Sequence, residues 1–176
     1  MRNFATGVCI ATTYTNGPQG RQHDAVTVNS LTSVSLDPPL VSICLHRDST
    51  FLADLLSTKV WAVSILDVGA ADLARCFARD KASREAAVCT LSATPGERTG
   101  ALVLDAPSWM ECRLRQYIEV GDHVMAIGEV LATGTQDRRP PLVFLHGKFH
   151  AVEKARPINL AGLNRPGIPA RTNGEV

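Results

Sequence analysis

Short apolar runs, each bounded by charged or turn-forming residues, are the dominant pattern along the chain. Runs of this length that are rich in Val and Ile are typical of β-strands. They predict strands at Val8–Thr13, Leu40–Leu45, Val60–Leu66, Val124–Leu131 and Leu142–His146. A sixth segment, Trp109–Tyr117, alternates polar and apolar residues, as expected when successive side chains point to opposite faces of a sheet. The pattern therefore predicts at least six strands.

Two segments have a helical pattern instead. Ser49–Leu56 follows Asp48, and either Asp48 or Ser49 can accept hydrogen bonds from the free N–H groups of a first turn. Ala70–Arg79 places three apolar side chains at helical spacing. Because strands outnumber helices, we predict a mainly β fold. A closed or nearly closed barrel with a few short covering helices is favoured over a doubly wound sheet.

The end of the chain has a different character. From Ala155 onward, prolines, glycines and scattered arginines break any periodic pattern, which is typical of a loosely packed tail. We predict one folded domain over residues 1–154. The tail over residues 155–176 is then flexible or packed on a partner subunit.

Composition mainly excludes certain classes of protein and of site. The 176 residues are 45% hydrophobic and 20% charged with a formal net charge of +1, which gives no basic surface for nucleic acid. No apolar run reaches the ~18 residues of a membrane span. The five cysteines lack CxxC spacing, so we predict a cytoplasmic protein without disulfides. We also expect no metal site, because His146 and His150 would stand roughly 13 Å apart on an extended segment.

The segment from Thr27 to Leu40 carries the strongest candidate chemistry. Five Ser or Thr residues and one Asn precede Asp37, Pro38 and Pro39. The two prolines fix the backbone and favour extended geometry before them, which leaves N–H and hydroxyl groups free to face a ligand. An isoalloxazine ring offers an edge of carbonyl and nitrogen positions that suits such groups. The alternative is a loop whose hydroxyls satisfy its own backbone.

The sequence TVNSLTSVSLDPPL over residues 27–40 resembles the signature of the flavin reductase-like, FMN-binding split-barrel family. These are the short-chain reductases of two-component monooxygenases. Further similar segments follow the same order as in the family: Phe4–Val8, Leu45–Phe51, Val60–Leu66, Leu73–Ala78, Gly121–His123 and Pro141–Phe149. The resemblance covers about 150 residues. It is nearest to reductases of antibiotic pathways, including actinorhodin and enediyne biosynthesis.

This resemblance implies a split β-barrel of Greek-key-like topology that forms a homodimer. It also implies reduction of free FAD, or FMN, by direct hydride transfer from NADH. The reduced flavin would then diffuse to a separate monooxygenase or halogenase. Hydride transfer is the cofactors' own chemistry, so the protein has to bind and orient two rings and needs no acid–base pair.

The resemblance also assigns site residues. The residues expected to bind the flavin are Thr27, Asn29, Ser30, Ser33, Val34, Ser35, Ser49, Thr50, Phe77, Ala78, Arg84, His146 and Phe149. The first three would contact the ribityl chain and the ring edge, and the next three the isoalloxazine. Residues 49–50 would bind the phosphate together with the N–H groups of the following helix. His123, the one residue assigned to catalysis, would position the nicotinamide.

Two other classes of protein remain open. A flavin-binding carrier without turnover would use the same hydroxyl-rich segment, and only His123 and an open space above the flavin argue against it. An oxidase similar to pyridoxamine phosphate oxidase would need more Arg and Lys around a second phosphate. NADH is favoured over NADPH because no Arg cluster is evident for a 2′-phosphate.

Overall fold

Antiparallel strands make up most of the described chain, which covers residues 2–18, 20–136 and 139–152 of a computed structural model. The strands are β1 Thr6–Gly7, β2 Cys9–Gly17, β3 Gly20–Val28, β4 Thr32–Leu36, β5 Pro39–His46, β6 Val60–Ile65, β7 Ala93–Pro95, β8 Leu102–Leu104, β9 Ser108–Val120, β10 His123–Thr135, β11 Leu142–Leu145 and β12 Lys148–Ala151. The helices are α1 Thr50–Thr58, α2 Ala71–Phe77 and α3 Lys81–Val88, with a short 3-10 helix at Val68–Ala70. The tail expected over residues 155–176 lies outside the described residues. Over the described ranges, no helix combines the length and the apolar character needed to span a membrane.

The main sheet has seven strands in the order β3-β2-β6-β9-β10-β5-β4. A second sheet is formed by β1, β11 and β12, and a hairpin by β7 and β8. The predicted mainly β class is confirmed. The two edge strands of the main sheet, β3 and β4, follow each other in the chain but form no ladder in the described ranges. Residues 29–31 therefore span an opening between the sheet edges.

All six predicted strands and both predicted helices are present, with ends that shift by a few residues. The hydrophobic pattern missed the short strands β1, β7, β8 and β12 and the longer strands β3 and β4, which carry many polar residues. It also missed α3. Helix α3 buries one side chain, that of Arg84, so it has no apolar stripe that a periodicity could reveal. Its start is fixed by Asp80, whose carboxylate accepts a hydrogen bond from the Ser83 N–H.

The core lies on both sides of β2, because alternate residues of this strand point to opposite faces. Cys9 and Ala11 join a cluster that α1 covers, whereas Val8 and Ile10 join a second cluster beneath α2. Burial raises the pKa of the thiols of Cys9 and Cys112 to about 12. Both thiols thus stay protonated at neutral pH and act as small apolar groups.

One close packing contact lies in the middle of the sheet. Trp61 on β6 is fully buried, and its indole lies against Gly128 on β10. A Cβ atom at position 128 would lie 2.1 Å from the indole Cη2 atom. The absence of a side chain at Gly128 therefore leaves the room that the indole occupies.

We expect Gly128→Ala to lower the free energy of unfolding by about 1–3 kcal/mol, the usual cost of overpacking a core. Urea denaturation at neutral pH measures this change. Gly7→Ala is the matched control, since a Cβ atom at Gly7 would meet no atom within 4 Å. Equal stability of the two variants would show that the indole can move aside.

Candidate functional site

The loop between β3 and β4 is held in place by its own hydroxyl groups. Ser30 Oγ donates to the carbonyl of Cys44 at 3.0 Å and accepts from the Cys44 N–H at 3.0 Å. Thr27 Oγ1 donates to the carbonyl of Ala74 in α2 at 2.7 Å. These two hydroxyls thus fix residues 27–30 against β5 and α2. Asn29, between them, is exposed.

A cavity of about 550 Å³ lies beside this loop. Its walls are Arg2, residues 4–7, residues 29–32 and residues 144–147. The last group forms the turn between β11 and β12, where His146 adopts a φ of 54° and its N–H donates to the carbonyl of Arg2 at 3.0 Å. Volumes of this size are typical of small-molecule and cofactor sites. The structure thus brings Asn29, Ser30 and His146 together around one space.

The groups that line this cavity suit a planar, polar heterocycle. Phe4, Leu31 and Phe144 supply apolar surface, and Arg2 and His146 are the titratable side chains among the lining residues. The hydroxyl of Thr6 is buried without a hydrogen-bond partner in the described part of the chain. A buried hydroxyl without a partner costs stability unless a ligand satisfies it. The residues present therefore fit a flavin ring edge, which offers both donors and acceptors.

The start of α1 suits an anion. Ser49 stands at the N-cap with extended backbone, but its side chain makes no capping hydrogen bond, and the first turn holds no acidic residue. The free N–H groups and the positive end of the helix are thus open to a phosphate. Thr50, exposed beside them, accepts a hydrogen bond from Arg84 Nη2 at 3.3 Å.

Arg84 is mainly engaged with the protein itself. Its Nε and Nη2 atoms donate to the two carboxylate oxygens of Asp24 at 3.2 and 3.0 Å, and Nη1 donates to the carbonyl of Arg79. Both side chains are buried, with 8% of Arg84 and 5% of Asp24 exposed. The Asp24 carboxylate balances the charge of Arg84, which therefore acts first as a brace between β3, α1 and α3. Asp24 was not among the predicted site residues, and no motif singles it out.

Other predicted residues lie outside the cavity. Phe77 is fully buried in the second core cluster, so its ring packs and only its backbone can meet a ligand, whereas Ala78 is exposed at the end of α2. Ser33, Val34 and Ser35 lie on the edge strand β4, and none of them lines the cavity.

Phe149 does not line the cavity but packs on Phe144, which does. It packs edge to face on Phe144 with ring centroids 5.6 Å apart, and the guanidinium of Arg75 lies 5.6 Å above its ring. Phe144 and Thr6, which line the cavity, were missed because each is an ordinary residue of a short strand.

His123 lies at the start of β10, directly after the turn at Gly121 and Asp122. Its Nδ1 atom is 2.8 Å from Asp122 Oδ1, and this hydrogen bond lowers the pKa of the Asp122 carboxyl. Beside it, on β5, stands His46, with ring centroids 5.5 Å apart and ring planes at 75°. His46 was not predicted as a site residue, since only the pairing of β5 with β10 brings it to His123.

The segment Cys44–Thr50 connects these groups. Cys44 bonds to Ser30 beside the cavity, and two residues further along the strand His46 faces His123. The carbonyl of His46 accepts from the Ser49 N–H at 2.9 Å, and Thr50 meets Arg84. One continuous backbone segment, Cys44–Thr50, thus lies beside the cavity, the start of α1 and His123. Nowhere in the described ranges do three His, Cys, Asp or Glu side chains gather as a metal site requires.

Comparison with known proteins identifies the class of this fold and site. The profile of the family described as flavin reductase like domain matches residues 1–153. The chain is 36% identical over 151 residues to the NADH-dependent FAD reductase of Streptomyces globisporus, covering 84% of this chain and 79% of that protein. It is 33% identical over 175 residues to the actinorhodin polyketide dimerase of Streptomyces coelicolor, covering 97% and 92% of the two chains.

A solved structure agrees. BorF, the flavin reductase component of a bacterial two-component tryptophan halogenase, aligns with a TM-score of 0.77 at 34% identity, covering 85% of this chain and 92% of that chain. The chain therefore belongs to the flavin reductase-like family. The predicted family and enzyme class are confirmed, since several relatives are named NADH-dependent FAD, FMN or flavin reductases.

We expect Arg84→Met to lower the free energy of unfolding by about 3–5 kcal/mol, because it leaves the Asp24 carboxylate buried without its partner. Lys81→Met on the same helix is the control. The Lys81–Glu85 pair is exposed at 45% and 57%, so its loss should change stability by about 1 kcal/mol or less. Urea denaturation compares the two variants. An Arg84 variant of normal stability that had lost only flavin affinity would show that Arg84 serves the ligand instead.

Proposed function

We propose that this protein is an NADH-dependent flavin reductase that reduces FAD or FMN and releases it to a separate monooxygenase or halogenase. The observation that carries the proposal is the cavity between residues 29–32 and 144–147 with the unpartnered Thr6 hydroxyl, in a chain of the flavin reductase-like family. The bound flavin supplies the hydride-accepting chemistry, and the protein holds and orients the reactants.

Each part of the site has a distinct task in this proposal. The loop fixed by Ser30 and the turn at His146 hold the flavin ring, and the first turn of α1 receives the phosphate. His123, at the other side of the Cys44–Thr50 segment, positions the dihydronicotinamide. Orienting two rings at reacting distance is sufficient to accelerate hydride transfer, so the lack of an acid–base pair in the proposed chemistry is expected.

The named relatives support both flavins as substrates and NADH as the donor. One relative is an FAD reductase, a second is an FMN reductase, and one solved structure of the family is described in complex with NAD and FAD fragments. The likeness to an actinorhodin protein and to a halogenase component supports a place in secondary metabolism. A cytoplasmic location stays a prediction from the cysteine pattern.

The direct test mixes the purified protein with NADH and excess FAD or FMN and follows the loss of NADH absorbance. We expect turnover with at least one flavin. Thr6→Val, which removes the unpartnered hydroxyl at nearly constant volume, should raise the KM for flavin about 2- to 10-fold with little change in kcat.

Thr133→Val is the control for this substitution, because Thr133 is exposed on β10 and belongs to no part of the proposed site. Flavin binding without any NADH oxidation would contradict the proposed reductase and favour a flavin-binding carrier without turnover. An unchanged KM in Thr6→Val would place the flavin ring outside this cavity.

We also propose that the protein forms a homodimer. The support is a set of exposed apolar side chains on strands β4 and β9 of the main sheet: Val34, Leu36, Tyr117, Ile118 and Val120. Leu36 is 89% exposed on the edge strand β4, which is an unfavourable position for a large apolar residue in a free monomer. A second copy of the chain that packs on these strands would remove apolar groups from water.

We expect Leu36→Asp to shift the protein from dimer to monomer without unfolding it, because the side chain makes little contact within its own chain. Sedimentation equilibrium over a range of concentrations measures the shift. Thr133→Asp, which adds the same charge at an exposed polar position, should leave the dimer intact. A wild-type protein that stays monomeric at all concentrations would contradict the proposal.

A further inference from the structure

His46 and His123 are direct register partners on the paired strands β5 and β10. Their rings meet edge to face, and 51% and 48% of the two side chains are exposed, which leaves half of each open to a ligand. We propose that His46 is a positioning residue for His123: it fixes the plane of the His123 ring, so that the free ring nitrogen accepts a hydrogen bond from the carboxamide NH2 of the dihydronicotinamide. This inference rests on the proposed function.

The hydrogen bond to Asp122 decides which nitrogen of His123 carries the proton. An ionised carboxylate can only accept, and the Asp122 pKa is lowered by this same bond, so Nδ1 of His123 must be the donor at 2.8 Å. In the neutral ring the proton is then on Nδ1, and Nε2 is an acceptor. In the described part of the chain, Nε2 makes no hydrogen bond and is available to a ligand donor.

His46 has the opposite tautomer. Its Nδ1 atom lies 3.3 Å from the backbone nitrogen of Asp48, which can only donate, so Nδ1 of a neutral His46 must accept. The proton of His46 is therefore on Nε2. The two neutral rings thus differ in the atom that they offer: His46 offers an N–H, and His123 offers a lone pair.

Charged groups from each neighbouring element surround this pair. The carboxylates of Asp48 on the β5–α1 connection and Asp122 in the turn lie beside the rings, and Glu119 lies on the adjacent strand β9. The guanidinium of Arg47 donates to the carbonyl of Gly121 within the same cluster.

Protonation would change what His123 can recognise. A charged ring carries N–H groups on both nitrogens and has no acceptor left for the carboxamide NH2. The kcat/KM for NADH should therefore fall as the pH is lowered through the range in which His123 becomes charged.

The test uses two substitutions and a cofactor analogue. His46→Phe keeps a ring for edge-to-face packing but removes the titratable group, and His46→Ala removes both. The probe is reduced 3-acetylpyridine adenine dinucleotide, in which a methyl group replaces the carboxamide NH2. For each variant the ratio of kcat/KM for NADH to kcat/KM for the analogue is measured against pH and compared with the wild-type ratio. The intrinsic difference in reactivity between the two cofactors cancels in this comparison.

We expect His46→Phe to keep the wild-type ratio at pH 8, because a ring still packs edge to face on His123. His46→Ala should lose about 2- to 10-fold of the ratio, the value of one hydrogen bond. His123→Ala should lower the ratio by the same factor, about 2- to 10-fold. His23→Phe is the control, because His23 packs edge to face on Tyr14 in another part of the sheet.

A second readout does not depend on turnover. Long-range 1H–15N NMR of the flavin-free protein should find the proton on Nδ1 of His123 and on Nε2 of His46. An unchanged ratio in His46→Ala would overturn the inference while the reductase activity stands, and so would an equal loss with both cofactors. The opposite tautomers would also overturn it. An absence of turnover by the wild-type protein would instead contradict the proposed function.

Discussion

A buried ion pair between Asp24 and Arg84 holds the helices against the edge of the main sheet. Burying two charges is costly, and the cost is offset only when the geometry is good and the remaining donors are satisfied. Here two hydrogen bonds join the partners, and the third guanidinium nitrogen reaches the carbonyl of Arg79. The same guanidinium also reaches Thr50 at the start of α1. The position of the proposed anion site therefore depends on this pair.

The segment 27–35, which runs from the end of β3 into β4, depends on a smaller set of hydrogen bonds. Its hydroxyl groups suggested a ligand-binding surface, yet Thr27 and Ser30 use theirs to bind backbone carbonyls of α2 and β5. The dense hydroxyl pattern thus serves first to hold an irregular segment across the opening between β3 and β4. The ligand surface follows from that fixed backbone, together with Thr6 and the turn at His146.

Most of the fold could be predicted because its strands follow an alternating or short apolar pattern. The longer elements that were missed, β3, β4 and α3, are rich in polar residues. Helix α3 is anchored by Arg84, and Glu111 on β9 is buried because its carboxylate accepts from the N–H groups of Arg98 and Thr99. Periodicity cannot detect such positions. For the site, the motif identified the loop and His123, whereas Thr6, Phe144 and His46 depend on strand pairing that the sequence does not show directly.

The first residues of the chain form one wall of the cavity, and the carbonyl of Arg2 is bonded to the turn that forms the opposite wall. Residues 2 and 4–7 are therefore a working part of the proposed flavin site. Because one backbone hydrogen bond joins the two walls, a substitution that moves either segment changes the width of the cavity between them.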